Sequence, residues 1–305
     1  MKTRSFTLFL LAIIVVIAGC VGQGGGGGGA GTCGSNPGGA NEVHVTEFSP
    51  SFNEFETGEE MDLVFSIKNS GSLQATGVNY YLFGLSRPEW TILPSVGPIV
   101  GSNLEPPDPS SNIGGDEESV EWQITHTTPR GVVVPYTMEA RTYFSYTTTS
   151  ENNIKIATDN YIKSLPKEQQ NGFKNGLGIT TSIPSRGPLT VSVQSDKKIF
   201  KTVPVSIDID ITIEDRGGGT VSDALPPAGK PNVIPIVSVS SPGRAITCTS
   251  SLTSVKLIGG KKVLHCDLPV SGLSNIGWES IPVSIGMNYI YYVGQCTTVN
   301  VIPPT

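Results

Sequence analysis

The chain has 305 residues, of which only 15 % are charged, and its formal net charge is −6. Nucleic-acid-binding domains are usually strongly basic, so this composition excludes nucleic acid as an expected partner. The same overall charge provides no electrostatic attraction to an anionic membrane surface. Few charged residues, together with 36 glycines and 23 prolines, are typical of an all-β protein.

The N-terminus has the pattern of a secretory signal. Lys2 and Arg4 precede an apolar run over residues 6–18, and small residues follow directly. The run is shorter than the roughly 20 apolar residues that a membrane-spanning helix needs. We therefore predict a signal peptide over residues 1–19.

Residues 17–20, Ile-Ala-Gly-Cys, resemble the lipobox of prokaryotic lipoproteins. The resemblance implies cleavage after residue 19, a lipid on Cys20 and a position on the extracellular face of the cytoplasmic membrane. An uncleaved N-terminal anchor helix is the alternative, and it also places the remaining chain outside the cytoplasm. A lipid anchor without a cell-wall motif suits an archaeal protein.

Residues 20–41 include six consecutive glycines and have almost nothing to bury. Such a segment is predicted to stay disordered and to act as a flexible tether. Its end-to-end distance is roughly 25 Å. A phosphate-binding glycine loop is not expected, because that loop needs a preceding strand, a following helix and a lysine.

Four cysteines remain when Cys20 carries the lipid, and an even number outside the cell favours disulfides. Three connectivities are possible. We favour Cys248–Cys266, because both residues lie in neighbouring predicted strands. Cys33–Cys296 would then join the tether to the last strand. Free buried thiols are the alternative.

The body of the chain contains an internal duplication. Val43 aligns with Val191 and Pro135 with Pro282, both about 147 residues apart. Apolar and polar residues alternate within each half, as in half-buried antiparallel strands. The inward-facing positions are predicted to be Leu63, Phe65 and Ile67 in the first half and Val205, Ile207, Ile209, Ile211 and Ile213 in the second. Several short strands separated by turn residues favour a β-sandwich.

The first half resembles the immunoglobulin-like cell-adhesion-related domain of bacteria and archaea. The matching positions are Gly58-Glu59, residues 63–69, Gly71, Thr76-Gly77 and Gly115-Asp116. The second half departs from this pattern, since it has Lys-Thr-Val-Pro-Val-Ser over residues 201–206 where the Gly-Glu turn belongs. The resemblance implies an immunoglobulin-like fold and a surface location, but no activity.

The predicted fold class is all-β, with two tandem immunoglobulin-like β-sandwiches. The expected boundaries are 1–19 for the signal peptide, 20–41 for the tether, 42–156 for the first sandwich, 157–188 for a linker and 189–305 for the second sandwich. Asp159 is a candidate cap for a short helix in the linker. The Pro- and Gly-rich loop over residues 97–118 is a candidate recognition element, because binding residues are often on loops.

The sequence offers no catalytic or metal-binding set. His44, His126 and His265 are scattered and lack the spacing of a zinc site. A copper site would need a second histidine shortly after Cys266, and there is none before Met287. We therefore expect no enzymatic activity, no cofactor and no resident metal.

Clustered acids leave calcium open as an alternative at two places. Asp208 and Asp210 share one strand face, and Asp116, Glu117 and Glu118 lie in a turn. A solvated strand face and an acidic surface turn are the simpler interpretations.

Aromatic residues concentrate in Tyr143-Phe144-Ser-Tyr146 and Tyr289-Ile-Tyr291-Tyr292. Alternate members of a strand face opposite ways, so some of these rings point outward. Outward rings either bind sugars or proteins or stabilise the sheet as cross-strand pairs.

The leading hypothesis is a non-enzymatic, lipid-anchored cell-surface protein for adhesion, spacing or envelope scaffolding. Its partners would be the membrane, through the lipid on Cys20, and a surface protein or glycan. The alternatives are a solute-binding lipoprotein of an importer and an accessory subunit of a membrane complex or filament.

Overall fold

Two 25-residue strands, β8 (Val134–Thr158) and β18 (Trp278–Ile302), form the centre of the fold. The structure is a computed structural model, and it describes residues 36–39, 42–270 and 273–304. The two strands pair antiparallel from the Val134–Val301 pair to the Ala157–Trp278 pair. At about 3.3 Å per residue the ladder is about 80 Å long.

The remaining elements are short. They are β1 (Val43–Pro50), β2 (Glu54–Glu56), β3 (Glu60–Asn69), β4 (Thr76–Phe83), β5 (Trp90–Leu93), β6 (Ile99–Val100), β7 (Glu117–His126), α1 (Asp159–Ser164), α2 (Lys167–Asn175), β9 (Gly178–Ile183), β10 (Leu189–Gln194), β11 (Ile199–Phe200), β12 (Ser206–Asp215), β13 (Thr220–Ser222), β14 (Val233–Ser240), β15 (Thr247–Cys248), β16 (Thr253–Lys256) and β17 (Lys261–Pro269). Neither helix in this part of the chain is long and apolar enough to cross a membrane.

The strands build three sheets. A ten-stranded central sheet contains the order β16-β14-β18-β8-β4-β6, with β2, β9, β11 and β13 also paired to the long strands. A four-stranded sheet of order β1-β3-β7-β5 belongs to the first half of the chain, and a sheet of order β10-β12-β17-β15 belongs to the second. The all-β sandwich prediction is confirmed.

One continuous hydrophobic core includes buried side chains from all three sheets, for example Phe65 on β3, Phe144 on β8 and Ile211 on β12. The predicted alternation holds on β3 and on β12 from Ile207 onward. It fails at Val205, whose side chain is 89 % exposed. Val205 lies in the loop after Pro204, before β12 begins, so the strand's alternation does not reach it.

The two halves share the central sheet, and the described residues belong to one compact unit. Residues 157–188, expected as a linker, contain α1, α2 and β9, and β9 pairs with β8. The short helix at Asp159 is present, but its cap is Thr158, whose Oγ1 accepts a hydrogen bond from the Tyr161 N–H (3.3 Å). Thr158 still has extended backbone, which is the conformation that a cap requires.

Cys248 and Cys266 form a disulfide and are register partners on β15 and β17. Cys296 is also disulfide-bonded. Cys33, its expected partner, and Cys20, the expected lipid site, lie outside the described residues. The same holds for the signal peptide and most of the tether.

Candidate functional site

The outer face of the central sheet carries a cluster of aromatic side chains beside one arginine. Arg141 and Tyr143 on β8 lie on the face of the sheet opposite the core, because Thr142 between them and Phe144 after them are buried on the core face. Tyr292 is the register partner of Tyr143, and Tyr81 on β4 is the register partner of Arg141. Period-2 alternation on three adjacent strands therefore collects these side chains on one surface.

The rings in this cluster contact one another. The Tyr143 and Tyr292 ring centroids are 4.8 Å apart at an interplanar angle of 30°, and Tyr81 meets Tyr143 edge to face at 5.4 Å. Phe83 stacks on Tyr81 at 6.1 Å. Burial raises the pKa of the Tyr143 and Tyr81 phenols, so these two hydroxyl groups are neutral at physiological pH.

Arg141 is held in a fixed orientation among the rings. Its guanidinium carbon lies 4.9 Å from the Phe83 centroid and 5.1 Å from the Tyr292 centroid. Its Nε and Nη2 donate to the two carboxylate oxygens of Glu139 at 2.6 and 2.8 Å. Burial alone would lower the pKa of Arg141, but the bonds to Glu139 and Tyr143 raise it overall. The guanidinium therefore stays charged and forms a rigid edge of the cluster.

The loop over residues 223–231 forms a wall above the rings. It is fixed by Ser222 Oγ donating to the Ala224 carbonyl (2.8 Å) and by the Lys230 N–H donating to Asp223 Oδ1 (2.7 Å). Gly229 has no room for a side chain, since a Cβ there would lie 2.1 Å from the Ala224 carbonyl oxygen. Wall and rings enclose a groove of about 310 Å³, lined by Phe83, Arg141, Tyr143, Ser222, Pro226, Pro227, Gly229, Pro231 and Tyr292.

We call this feature the aromatic groove. Its lining consists of flat rings and prolines with a few polar groups, which is the usual composition of a small-ligand site. Its volume is at the lower end of such sites, near that of one or two sugar rings or a short peptide segment. The groove can bind a ligand through ring faces and hydrogen bonds. Among the described lining residues, no nucleophile lies beside a general base.

The acids considered for calcium do not converge. Glu117 pairs with Lys68 (3.4 Å), whereas Glu118 accepts hydrogen bonds from the Tyr80 hydroxyl and the Ser102 N–H, and Asp116 accepts one from the Glu105 N–H. No group of three or more acid, histidine or cysteine side chains in the described part of the chain is arranged to hold a metal ion.

Asp208 and Asp210 face different partners across the β12–β17 ladder. Asp208 lies opposite Asp267, and their contact raises the pKa of Asp267. Asp210 accepts from His265 Nδ1 (2.6 Å), and both side chains are exposed. The hydrogen bonds described for His265 include none to a serine, so this pair is not extended into a Ser-His-Asp arrangement.

The other two histidines, His44 and His126, contact groups that stabilise the fold. His44 Nδ1 lies 3.3 Å from the Glu42 carbonyl oxygen. His126 is fully buried, and its Nε2 lies 3.2 Å from the Tyr136 hydroxyl, which also accepts from Arg130 (2.8 Å). Burial and the nearby Arg130 lower the pKa of His126. This cluster joins residues of β7 and β8. The spacing of these residues in the sequence did not indicate that they would be in contact.

Of the aromatic residues singled out in the sequence, Tyr143 and Tyr292 lie in the groove, while Phe144, Tyr146, Tyr289 and Tyr291 are in the core. Sequence reasoning missed Phe83 and Arg141. The alternation of Glu, Arg and Tyr at positions 139, 141 and 143 was the available signal, because it places one cation between two outward positions.

The candidate loop over residues 97–118 is partly anchored, since Leu104 is buried and pairs with Ala75.

Comparisons with known proteins name no relative. No family model matches the chain, and no curated protein matches it. Among solved structures, the secreted serine protease VesC from Vibrio cholerae is similar at 8 % identity and a TM-score of 0.19. The match covers 80 % of this chain and 49 % of that chain. A likeness at this level supports no enzyme assignment.

Proposed function

We propose that this chain is a non-enzymatic, lipid-anchored cell-surface protein for adhesion or envelope scaffolding, and that it binds a glycan in the aromatic groove. The lipobox-like residues 17–20 and the glycine tether support the surface location. The groove is the observation that carries the binding role. Tyr292 and Phe83 are partly exposed rings on which the apolar face of a sugar stacks, and the partly exposed Arg141 lies beside them as a hydrogen-bond donor.

The alternative of an importer's solute receptor is less well supported. Such receptors commonly close two α/β lobes on their ligand, whereas both halves here share one β-sheet. The groove also lies on one side of that sheet, between its face and the loop over residues 223–231. A binding surface on one rigid sheet suits adhesion better than it suits a receptor that captures a solute by closing two lobes around it.

Thermal-shift titration of residues 33–305 with neutral oligosaccharides tests the proposal. This piece contains the whole described core. We expect a saturable rise in Tm for the wild type and for the control Phe52→Ala, which removes a half-exposed ring away from the groove. Tyr292→Ala should weaken binding about 10-fold, because it removes one stacking face. Equal affinity of Tyr292→Ala and wild type, or no stabilisation by any sugar, would reject the groove as a glycan site.

A further inference from the structure

One end of the molecule gathers elements that are distant in sequence. The Ala157 N–H donates to the Lys198 carbonyl (3.0 Å), and the Thr158 N–H donates to the Gly277 carbonyl (2.9 Å). Lys198 Nζ donates to the Leu177 carbonyl (3.3 Å). The helices α1 and α2, the loop over residues 195–204 and residues 276–279 therefore meet where β8 ends and β18 begins. We call this region the basic end.

The charge of the chain is distributed very unevenly. Residues 155–201 contain eight Lys and Arg residues but only three Asp and Glu residues, whereas the chain outside residues 1–19 and 155–201 has ten basic and 23 acidic residues. Seven of those eight basic residues belong to the basic end, namely Lys155, Lys163, Lys167, Lys174, Lys197, Lys198 and Lys201. An acidic protein therefore has one strongly basic surface.

Few acids neutralise this surface. Asp159 pairs with Lys163 (2.5 Å), and Glu279 pairs with Arg244. Glu168 and Asp196 are exposed, and Asp208 on β12 lines the same surface cavity as Asp196, Lys197 and Lys201. In the described part of the chain, no salt bridge engages Lys155, Lys167, Lys174, Lys197 or Lys201. Most of the positive charge therefore faces solvent.

Apolar side chains are exposed among these lysines. Trp278 is 48 % exposed, Ile276 63 % and Ile199 36 %. Phe173 on α2 contacts the Trp278 ring at 6.1 Å, and α2 itself buries none of its residues. An unburied helix, an exposed tryptophan and surrounding lysines are the features of a segment that rests in a lipid headgroup layer.

We propose that the basic end docks on an anionic lipid surface, with Trp278, Ile276 and Phe173 at the headgroup level and the lysines paired with lipid phosphates. Charge complementarity selects the anionic partner. The exposed apolar side chains favour a lipid surface over a soluble polyanion, which has no apolar layer to receive them. The inference is independent of the aromatic groove, which lies on the outer face near the middle of the long strands.

Tryptophan fluorescence provides a direct test, because the other two tryptophans, Trp90 and Trp122, are 3 % and 0 % exposed. We expect phosphatidylcholine vesicles containing phosphatidylglycerol to shift the emission of residues 33–305 to shorter wavelength. Pure phosphatidylcholine vesicles should give no shift. The variant Trp278→Phe should co-sediment with anionic vesicles but lose the shift. A shift that persists in Trp278→Phe would overturn the placement of Trp278.

Charge reversal tests the electrostatic part. The variant K167E/K197E/K201E should bind anionic vesicles at least about 100-fold more weakly, since each lysine near such a surface contributes about 1 kcal/mol. The matched control K256E/K261E/K262E changes the net charge equally on β16 and β17 and should bind nearly as wild type. High salt should weaken wild-type binding. Equal losses in both triple variants, or binding to soluble polyglutamate without binding to vesicles, would contradict the proposal.

Discussion

Phe144 and Tyr291 lie directly opposite each other in the β8–β18 ladder, and they are 147 residues apart in the chain. Pro135 and Pro282 have the same spacing. In an antiparallel ladder between two equivalent strands, the residue that faces its own equivalent marks a local two-fold axis. The two halves are therefore related by an axis through the Phe144–Tyr291 pair.

Neighbouring strands obey the same symmetry. Thr76 on β4 pairs with Ser145, and Thr220 on β13 pairs with Tyr292, which is again 147 residues after Ser145. The central sheet therefore has two matching flanks, and each half of the chain contributes one further four-stranded sheet, as the predicted duplication would require.

A shared central sheet predicts cooperative unfolding. Phe144 is 1 % exposed and contacts both Tyr146 and Tyr291. Phe144→Ala should lower the free energy of unfolding by about 3–5 kcal/mol. Urea unfolding followed by tryptophan fluorescence and by circular dichroism should give one coincident transition for wild type and variant. Two separated transitions would indicate that the halves unfold independently.

Substitution of Asn69 in the Asn69-Ser70-Gly71 turn is predicted to destabilise the protein. The buried Nδ2 donates to the carbonyl groups of Leu73 and Leu104 (both 2.9 Å), and Oδ1 accepts from the Gly71 N–H (2.9 Å). Asn69→Ala removes all three hydrogen bonds, although the Leu104 carbonyl keeps its bond from the Ala75 N–H, and should cost about 2–3 kcal/mol. The control Ser70→Ala should change the free energy of unfolding by less than about 0.5 kcal/mol. Similar urea midpoints for both variants would refute this assignment.

Stability should decrease as the pH rises towards neutrality. Burial raises the pKa of Asp215 to about 6, and burial also raises the pKa of Glu42, whose Oε1 accepts from the Gly39 N–H (2.8 Å). A raised folded-state pKa favours the protonated form, so this stability is present below pH about 4 and is lost as pH rises through about 6. The contribution of Asp215 is at most about 3 kcal/mol.

Asp215→Asn keeps an oxygen that accepts from Tyr291 and Gly217 but removes the titration. The variant should match the wild type near pH 4 and exceed its stability at pH 7. Chemical denaturation at a series of pH values measures the difference, with the exposed Glu121→Gln as the reference variant. A variant less stable than the wild type at pH 7 would disprove the role given to burial.

The Cys248–Cys266 disulfide closes a loop of 18 residues at the edge of the second half. Replacing both cysteines by alanine should lower the free energy of unfolding by about 3 kcal/mol, mainly because the unfolded chain is less constrained. The double replacement isolates this bond, whereas reduction would also open the disulfide of Cys296. A loss below about 1 kcal/mol would show that strand pairing alone holds β15 on β17.

Much of the fold was predictable from local pattern. Alternation placed Phe65 and Ile211 in the core, and the neighbouring strands of Cys248 and Cys266 indicated their pairing. The shared sheet was not predictable, because period-2 alternation fixes which face a residue occupies but not which distant strand it pairs with. Val205 shows the same limit, since alternation continues in the sequence beyond the point where the strand begins.

The aromatic groove and the basic end depend on tertiary structure even more than the strand pairing does. Tyr143 and Tyr292 were recognisable as candidate outward rings, but their contact with Phe83 and Arg141 requires the β4–β8–β18 order. The net charge of −6 pointed away from anionic surfaces, because a sum over the chain conceals lysines that the fold gathers at one end. Local charge within residues 155–201 was the signal that could have found them.

The intact mass of the native protein extracted from membranes tests the central claim of a lipid-anchored surface protein most directly. We predict the mass of residues 20–305 plus a lipid, rising by about four hydrogens on reduction of two disulfides. The unprocessed mass of all 305 residues without lipid would contradict the anchor at Cys20.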